Sequence, residues 1–297
     1  MKIDGVFSGG GVKAYAFVGV LQSMHEKQLQ LERVAGTSAG AIVASLIAAG
    51  YRLEAIERLL AELDLKKLLD PPKITTYLPF TKWLFLFFQM GLNKGNRLEK
   101  WLYEQLAKQN VFTFKDFKKD YLKVVVSDLS LGKLVVLPDD LERIYGIDPN
   151  EFSVAKAVRM SCSFPFFFMP EKLISKNKQK SIIVDGGVLS NFPMWVFDNE
   201  SSRGKRPLLG VTLSDSYDKL GNAQPINNAL EMINGLFSTM KKAHDARYIS
   251  KHDSNDIIYI PVTDVNTVDF MLDEQTKQQL VSIGRQYADA FLKHWPT

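Results

Sequence analysis

Apolar and polar positions along the chain change period repeatedly. Short strands are predicted at IDGVFS (3–8), RVAG (33–36) and DIIYIPV (256–262), and SIIVDGG (181–187) and LLGVTLSD (208–215) are short apolar runs of the kind buried on both faces. YLKVVVSD (121–128) and KLVVLP (133–138) read as paired strands joined by the turn LSLG. Between these runs the spacing becomes helical. VKAYAFVGVLQSMHEKQ (12–28) and AGAIVASLIAAG (39–50) predict helices, the second stopping at Gly50 in the usual C-terminal position. Residues 52–69 predict another, ended by Pro71–Pro72, and NNALEMINGLFSTMKKAHDARY (227–248) a long one. Asp273 is placed to cap a final helix with Leu280, Ile283, Tyr287 and Phe291 along one face. Strands alternating with helices predict a largely parallel or mixed sheet covered on both faces. The polar stretch SKNKQK (175–180) reads as a solvated surface loop.

Composition narrows the class without choosing a function. The 297 residues are 46% hydrophobic and 24% charged, with 37 Lys plus Arg against 33 Asp plus Glu. These are the proportions of a folded globular chain and exclude intrinsic disorder. A net charge of +4 permits contact with anionic lipid or nucleic acid and argues for neither. The lone Cys162 excludes an internal disulfide and a Cys-based zinc site. No apolar h-region follows Met1, and the densest apolar run, WLFLFF (83–88), is far below the roughly 20 residues that span a bilayer. The expectation is a cytoplasmic protein, with any membrane contact peripheral. No internal repeat or Gly/Ser linker divides the chain, which reads as a single domain.

Three short motifs carry the chemistry. SGGGVKA (8–14) follows a strand and opens a helix. Consecutive glycines let backbone N–H groups converge on an anion, and the helix N-terminus adds positive potential. Phosphate cradles and oxyanion holes both use that geometry. Gly9, Gly11 and Ala14 also fit the dinucleotide fingerprint G-x-G-x-x-G/A, but its acidic partner belongs at the end of the second strand, and Glu32 lies before it. What ends that strand is G-T-S-A-G (36–40), with Gly36 and Gly40 flanking Ser38 between strand and helix, the context of a nucleophile elbow. The bland alternative makes Ser38 an ordinary helix N-cap. The third motif, D-G-G (185–187), ends a strand with Asp185 followed by Gly186 and Gly187; alone it is also a common turn. The order Ser38, Asp185, then His244 or His252 formally fits an α/β-hydrolase triad, yet too few strands precede the elbow for that fold. A Ser–Asp dyad becomes workable when helix dipole and oxyanion donors stabilise the developing charge.

These motifs, in this order, resemble the patatin-like phospholipase family. VVVSDLSLGKLVVL, AVRMSCSFPFFFMP and DGGVLSNFPM, with Asn191 and Pro193, match further family segments, and the resemblance extends over roughly 3–215. It implies a three-layer α/β/α fold with a central mixed, mostly parallel sheet. It implies a lipid acyl hydrolase with Ser38 as nucleophile, Asp185 as proton acceptor and an oxyanion hole from Gly9, Gly10 and Gly11. Lys13 matches a position usually Arg or Lys and is expected to meet an anion or lipid headgroup. Ala14 departs from the family's frequent third glycine. The implied partner is a lipid ester; no metal, other cofactor or nucleic acid is implied, and oligomeric state is unreadable. Residues 65–110 then form a helical, aromatic insertion and 216–297 a strand–helix completion.

Two aromatic stretches stay open between readings. Thr76 to Asn96 is either an interfacial or cap element that engages lipid or an acyl chain, or a buried helix or connecting segment; the run length fits both, and the second reading is placed ahead. FPFFFMP (164–170) either lines an acyl groove or fills core. Three other functions compete: a serine esterase or thioesterase for soluble esters, a catalytically silent lipid-binding regulator, and a nucleotide-dependent dehydrogenase, which the misplaced Glu32 disfavours.

Overall fold

In a computed structural model the described residues are 1–74, 81–197, 206–214, 254–262, 265 and 271–295, plus eight single positions between 226 and 245; the side chains of 81–83 and 85 are excepted. The first half runs β1 (Lys2–Phe7), α1 (Tyr15–Glu26), β2 (Gln30–Thr37), α2 (Ala39–Ala48), α3 (Leu53–Ala61) and the single turn α4 (Leu65–Leu68). It continues through α5 (Thr81–Gln89), β3 (Gly91–Asn93), α6 (Asn96–Ala107), β4 (Leu122–Asp128) and β5 (Lys133–Leu137). There follow α7 (Val154–Ser161), β6 (Phe166–Phe168), β7 (Glu171–Ile174), β8 (Lys180–Asp185), β9 (Leu208–Thr212), β10 (Ile257–Tyr259) and α8 (Glu274–Leu292).

The fold is the expected three-layer α/β/α arrangement around a mixed, mostly parallel sheet. The strands run β10-β9-β1-β2-β4-β8-β7, with β5 beside β4; the pairs from β10 to β4 are parallel and those involving β5, β7 and β8 antiparallel. Alternation along the strands sorts the core onto two faces. Phe7 and Val34 point into the larger cluster with Phe17 and Leu46, whereas Val6 and Ala35 meet Phe192, Met194 and Phe197. Among the described residues no helix is long and apolar enough to cross a membrane.

One detail of register positions the site. β5 takes Val124–Asp128 along one edge of β4, so β2 and β8 share the other. β2 ends there with Thr37 opposite Val125, and β8 ends with Asp185 opposite Val126. The ends of two strands separated by almost half the sequence therefore abut.

Three local expectations need correction. The helix over 52–69 is two pieces, because residues 62–64 break it and Asp64 caps α4 through Lys66 N–H. The final helix is capped by Asp273 as expected, and Leu280, Ile283 and Phe291 face the core, but its fully buried stripe is Leu280, Gly284, Ala288 and Leu292, and Tyr287 is exposed. Small residues win because a Cβ on Gly284 would stand 1.9 Å from Ala16 O, and one on Gly19 2.0 Å from Val281 O, so α1 and α8 meet backbone to backbone. Third, α5 is no buried helix: Leu84, Phe87 and Phe88 are exposed. The helix expected over 227–248 and both His244 and His252 lie outside the described residues, apart from single positions.

Candidate active site

The elbow begins with close packing. A Cβ on Gly36 would sit 2.5 Å from the Gly40 carbonyl, and one on Gly40 2.3 Å from Phe7 O. Glycine at both positions lets α2 start directly behind the ends of β1 and β2. Ser38, between them, has φ +53° and ψ −124°, a left-handed backbone that a residue with a Cβ adopts only under constraint. The constraint is visible: Ser38 N–H donates to Ser161 Oγ at 2.8 Å, and that hydroxyl donates in turn to Val125 O at 2.6 Å. Ser38 O accepts from the N–H groups of Ala41 and Ile42. Its hydroxyl caps nothing, which removes the N-cap alternative, and it faces a cavity.

Asp185 is brought to the same cavity by the strand register. Its Oδ1 accepts the Gly187 N–H at 2.7 Å, so the D-G-G turn orients the carboxylate. Gly186 packs against β4, where a Cβ would meet Val125 O at 2.3 Å.

The glycine turn lies against the serine. A Cβ on Gly9 would stand 3.3 Å from Ser38 Cβ and 2.5 Å from Asn191 Oδ1. Asn191 holds Gly9 from both sides: its carbonyl accepts Gly9 N–H at 2.9 Å, and its Nδ2 donates to Gly9 O at 3.1 Å. The buried Asp245 carboxylate accepts the N–H groups of Asn191 and Phe192, tying the C-terminal region to the back of the site. Gly9 N–H is thus already used. Among the described residues no acceptor is bonded to the N–H of Gly10 or Gly11, and Gly11 has φ +55°. Lys13 lines the cavity too, with Nζ donating to Val262 O at 2.6 Å.

The cavity is about 500 Å3. Its polar end is the glycine turn, Ser38 and Asp185; most of the remaining wall is apolar, from Ile42 and Val43 of α2 to Leu60, Leu63, Leu65 and Leu68. Phe164, Phe167 and Phe168 contribute on one side, so part of the FPFFFMP stretch does line a groove. Arg159, fully buried, holds that side: it donates to Lys94 O, Gly95 O and Met169 O and stacks 5.2 Å from the Phe168 ring. Burial lowers its pKa, and nearby Glu171 opposes that. Cys162 also lines the cavity, and burial first and the Asp185 carboxylate second push its thiol pKa up. The described histidines His25 and His294 are exposed, and neither lines this cavity.

The structure brings Ser38, Asp185, the glycine turn and Asn191, all within the motif segments, to one cavity. Ser161, Arg159 and the four leucines support or line it without being singled out by the motifs. Ser161 and Arg159 stand within the matching stretch AVRMSCSFPFFFMP, where the signal was present without a role.

Comparison with known proteins bears on the family and the fold. The family model described as patatin-like phospholipase matches residues 5–198. The chain is 46% identical to the uncharacterized protein YqhO of Bacillus subtilis, over 99% of both chains. It is 26% identical to the cUMP-AMP-activated phospholipase of Escherichia coli, over 62% of this chain and 54% of that one. The solved structure of VipD from Legionella pneumophila superposes with a TM-score of 0.57 at 18% identity, over 98% of this chain and 66% of that one. That likeness is one of fold.

Proposed function

The chain belongs to the patatin-like phospholipase family, and from that premise we propose that it is a lipid acyl hydrolase, of phospholipase A or lysophospholipase type, working through a Ser38–Asp185 dyad. The observation that carries the reading is the strained, uncapped Ser38 at the polar end of an otherwise apolar cavity that also holds Asp185.

Ser38 Oγ attacks the ester carbonyl carbon while Asp185 takes its proton. The carbonyl oxygen becomes an oxyanion and is met by the N–H groups of Gly10 and Gly11, with Gly9 as the anchored base of the turn. The C–O bond to the alcohol breaks, and the alcohol leaves with the proton from Asp185. Water then attacks the acyl-enzyme, again giving its proton to Asp185, and Ser38 recovers a proton as the fatty acid departs. The leucine wall receives the acyl chain. The Lys13 ammonium, which lines the same cavity, meets the headgroup phosphate. The whole chain acts as one domain, at a lipid surface.

The test is fatty-acid release from phospholipid vesicles by the wild-type protein and by Ser38→Ala, with each variant's fold checked by circular dichroism. Release that disappears with Ser38 is expected, and Asp185→Asn should behave alike. Release that survives Ser38→Ala refutes the dyad.

A further inference from the structure

Four exposed apolar side chains lie on and just after α5: Leu84 is 53% exposed, Phe87 79%, Phe88 69% and Met90 40%. The patch continues across a strand pair. Gly91, next to Met90, pairs with Phe166 at the start of β6, and Phe166 is itself 40% exposed. Met90 and Phe166 both have left-handed backbones, with φ +58° and +65°. A bulky residue is an outlier there, so the chain holds two apolar side chains outward at a conformational cost. Immediately after Phe166, Phe167 and Phe168 line the cavity containing Ser38. Exposed patch and cavity wall are consecutive residues of one strand.

Exposed cations stand close to this face along the chain, on either side of α5. Lys94 and Arg97 follow β3, and Lys66, Lys67 and Lys73 lie on and after α4. Arg97 joins the two groups by donating to Leu69 O at 3.0 Å. Of the acids here, Asp64 pairs with Lys67, Asp70 is bound by the N–H groups of Gly95 and Arg97, Glu99 is half-buried and Glu62 is exposed. The cations outnumber them.

We propose that α5, Met90 and Phe166, with this cationic flank, form the surface that docks the protein on an anionic lipid bilayer. An apolar patch rimmed by Lys and Arg is the composition that seats a peripheral protein at the headgroup boundary. Continuity with the cavity gives a docked lipid's acyl chain a path inward without crossing water. The inference rests on the reading of the cavity as an acyl site.

Ser38→Ala protein binds vesicles without consuming them, which separates docking from catalysis. Its flotation is measured with phosphatidylcholine vesicles and with phosphatidylcholine–phosphatidylglycerol vesicles. Stronger binding to the mixed vesicles is expected, weakened by salt. Adding Phe87→Ser and Phe88→Ser should lower binding by about tenfold or more. In the active protein the same pair should reduce fatty-acid release from vesicles while leaving hydrolysis of a soluble short-chain ester unchanged. Vesicle binding indifferent to the phenylalanine pair overturns the proposal, as does equal loss of both activities. A patch-dependent dimer in size-exclusion chromatography with no vesicle binding overturns it in favour of a second copy. Patch-dependent binding in a protein that releases no fatty acid upholds the docking and sinks the hydrolase reading instead.

Discussion

Ser161 does for Ser38 what no residue of the elbow itself can do. The Ser38 N–H has its partner outside the elbow: Ser161 Oγ receives it while anchored to Val125 O. Ser161→Ala leaves a Ser38 N–H and a β4 carbonyl without those partners. The expected stability loss is about 1–3 kcal/mol. The sharper expectation is kinetic: kcat falls about tenfold or more with KM little changed, because small displacements of a nucleophile cost rate rather than binding. Steady-state kinetics on a soluble ester checks it. A proportional rise in KM with constant kcat would mean that Ser161 shapes the cavity and does not hold the serine. Cys162 makes a second residue-scale prediction. Burial and the Asp185 charge raise its pKa, so it stays a neutral thiol near pH 8. Iodoacetamide should leave it unmodified in the folded protein and label it in denaturant, as read by mass spectrometry.

At the scale of elements, the contact between α1 and α8 is made by residues with no side chain to pack. Gly19 and Gly284 let the backbones approach until any Cβ collides. Gly284→Val is expected to force the helices apart and cost about 3 kcal/mol, seen as a lowered thermal midpoint. Unchanged stability would mean that the helices separate freely. The same contact explains why Tyr287 drops out of the apolar face of α8. Leu280, Ile283 and Phe291 do pack against the core, but the closest approach to α1 is made at Gly284, and Tyr287 is left exposed. The aromatic α5 was misread for a related reason. Its apolar density is that of a buried helix, and nothing in a local window tells whether other elements cover it.

For the whole molecule, the cavity volume sets an expectation about substrate. The cavity is about 500 Å3 with a mostly apolar wall beyond its polar end, space for a long acyl chain rather than a short one. Hydrolysis of monoacyl esters should rise with chain length and then level. Leu63→Phe, which narrows the leucine end, should shift the optimum to shorter chains. A profile insensitive to chain length would place the acyl group elsewhere. Much of the candidate site was legible from residues alone. A strand, a three-glycine turn and a helix, then a strand, G-T-S-A-G and a helix, are arrangements whose geometry is decided within a dozen residues, and they appear where the spacing placed them. The alternation of strands and helices likewise carried the layered fold. Three-dimensional packing alone decided the rest. It joined the ends of β2 and β8 on one edge of β4, set Ser161 behind a serine 123 positions away, engaged Gly9 and left the N–H groups of Gly10 and Gly11, and turned α5 outward. Local backbone preference acts over a few neighbours and is written in the sequence; burial, register and hydrogen-bond partnership depend on distant segments meeting and exist only once the chain has folded.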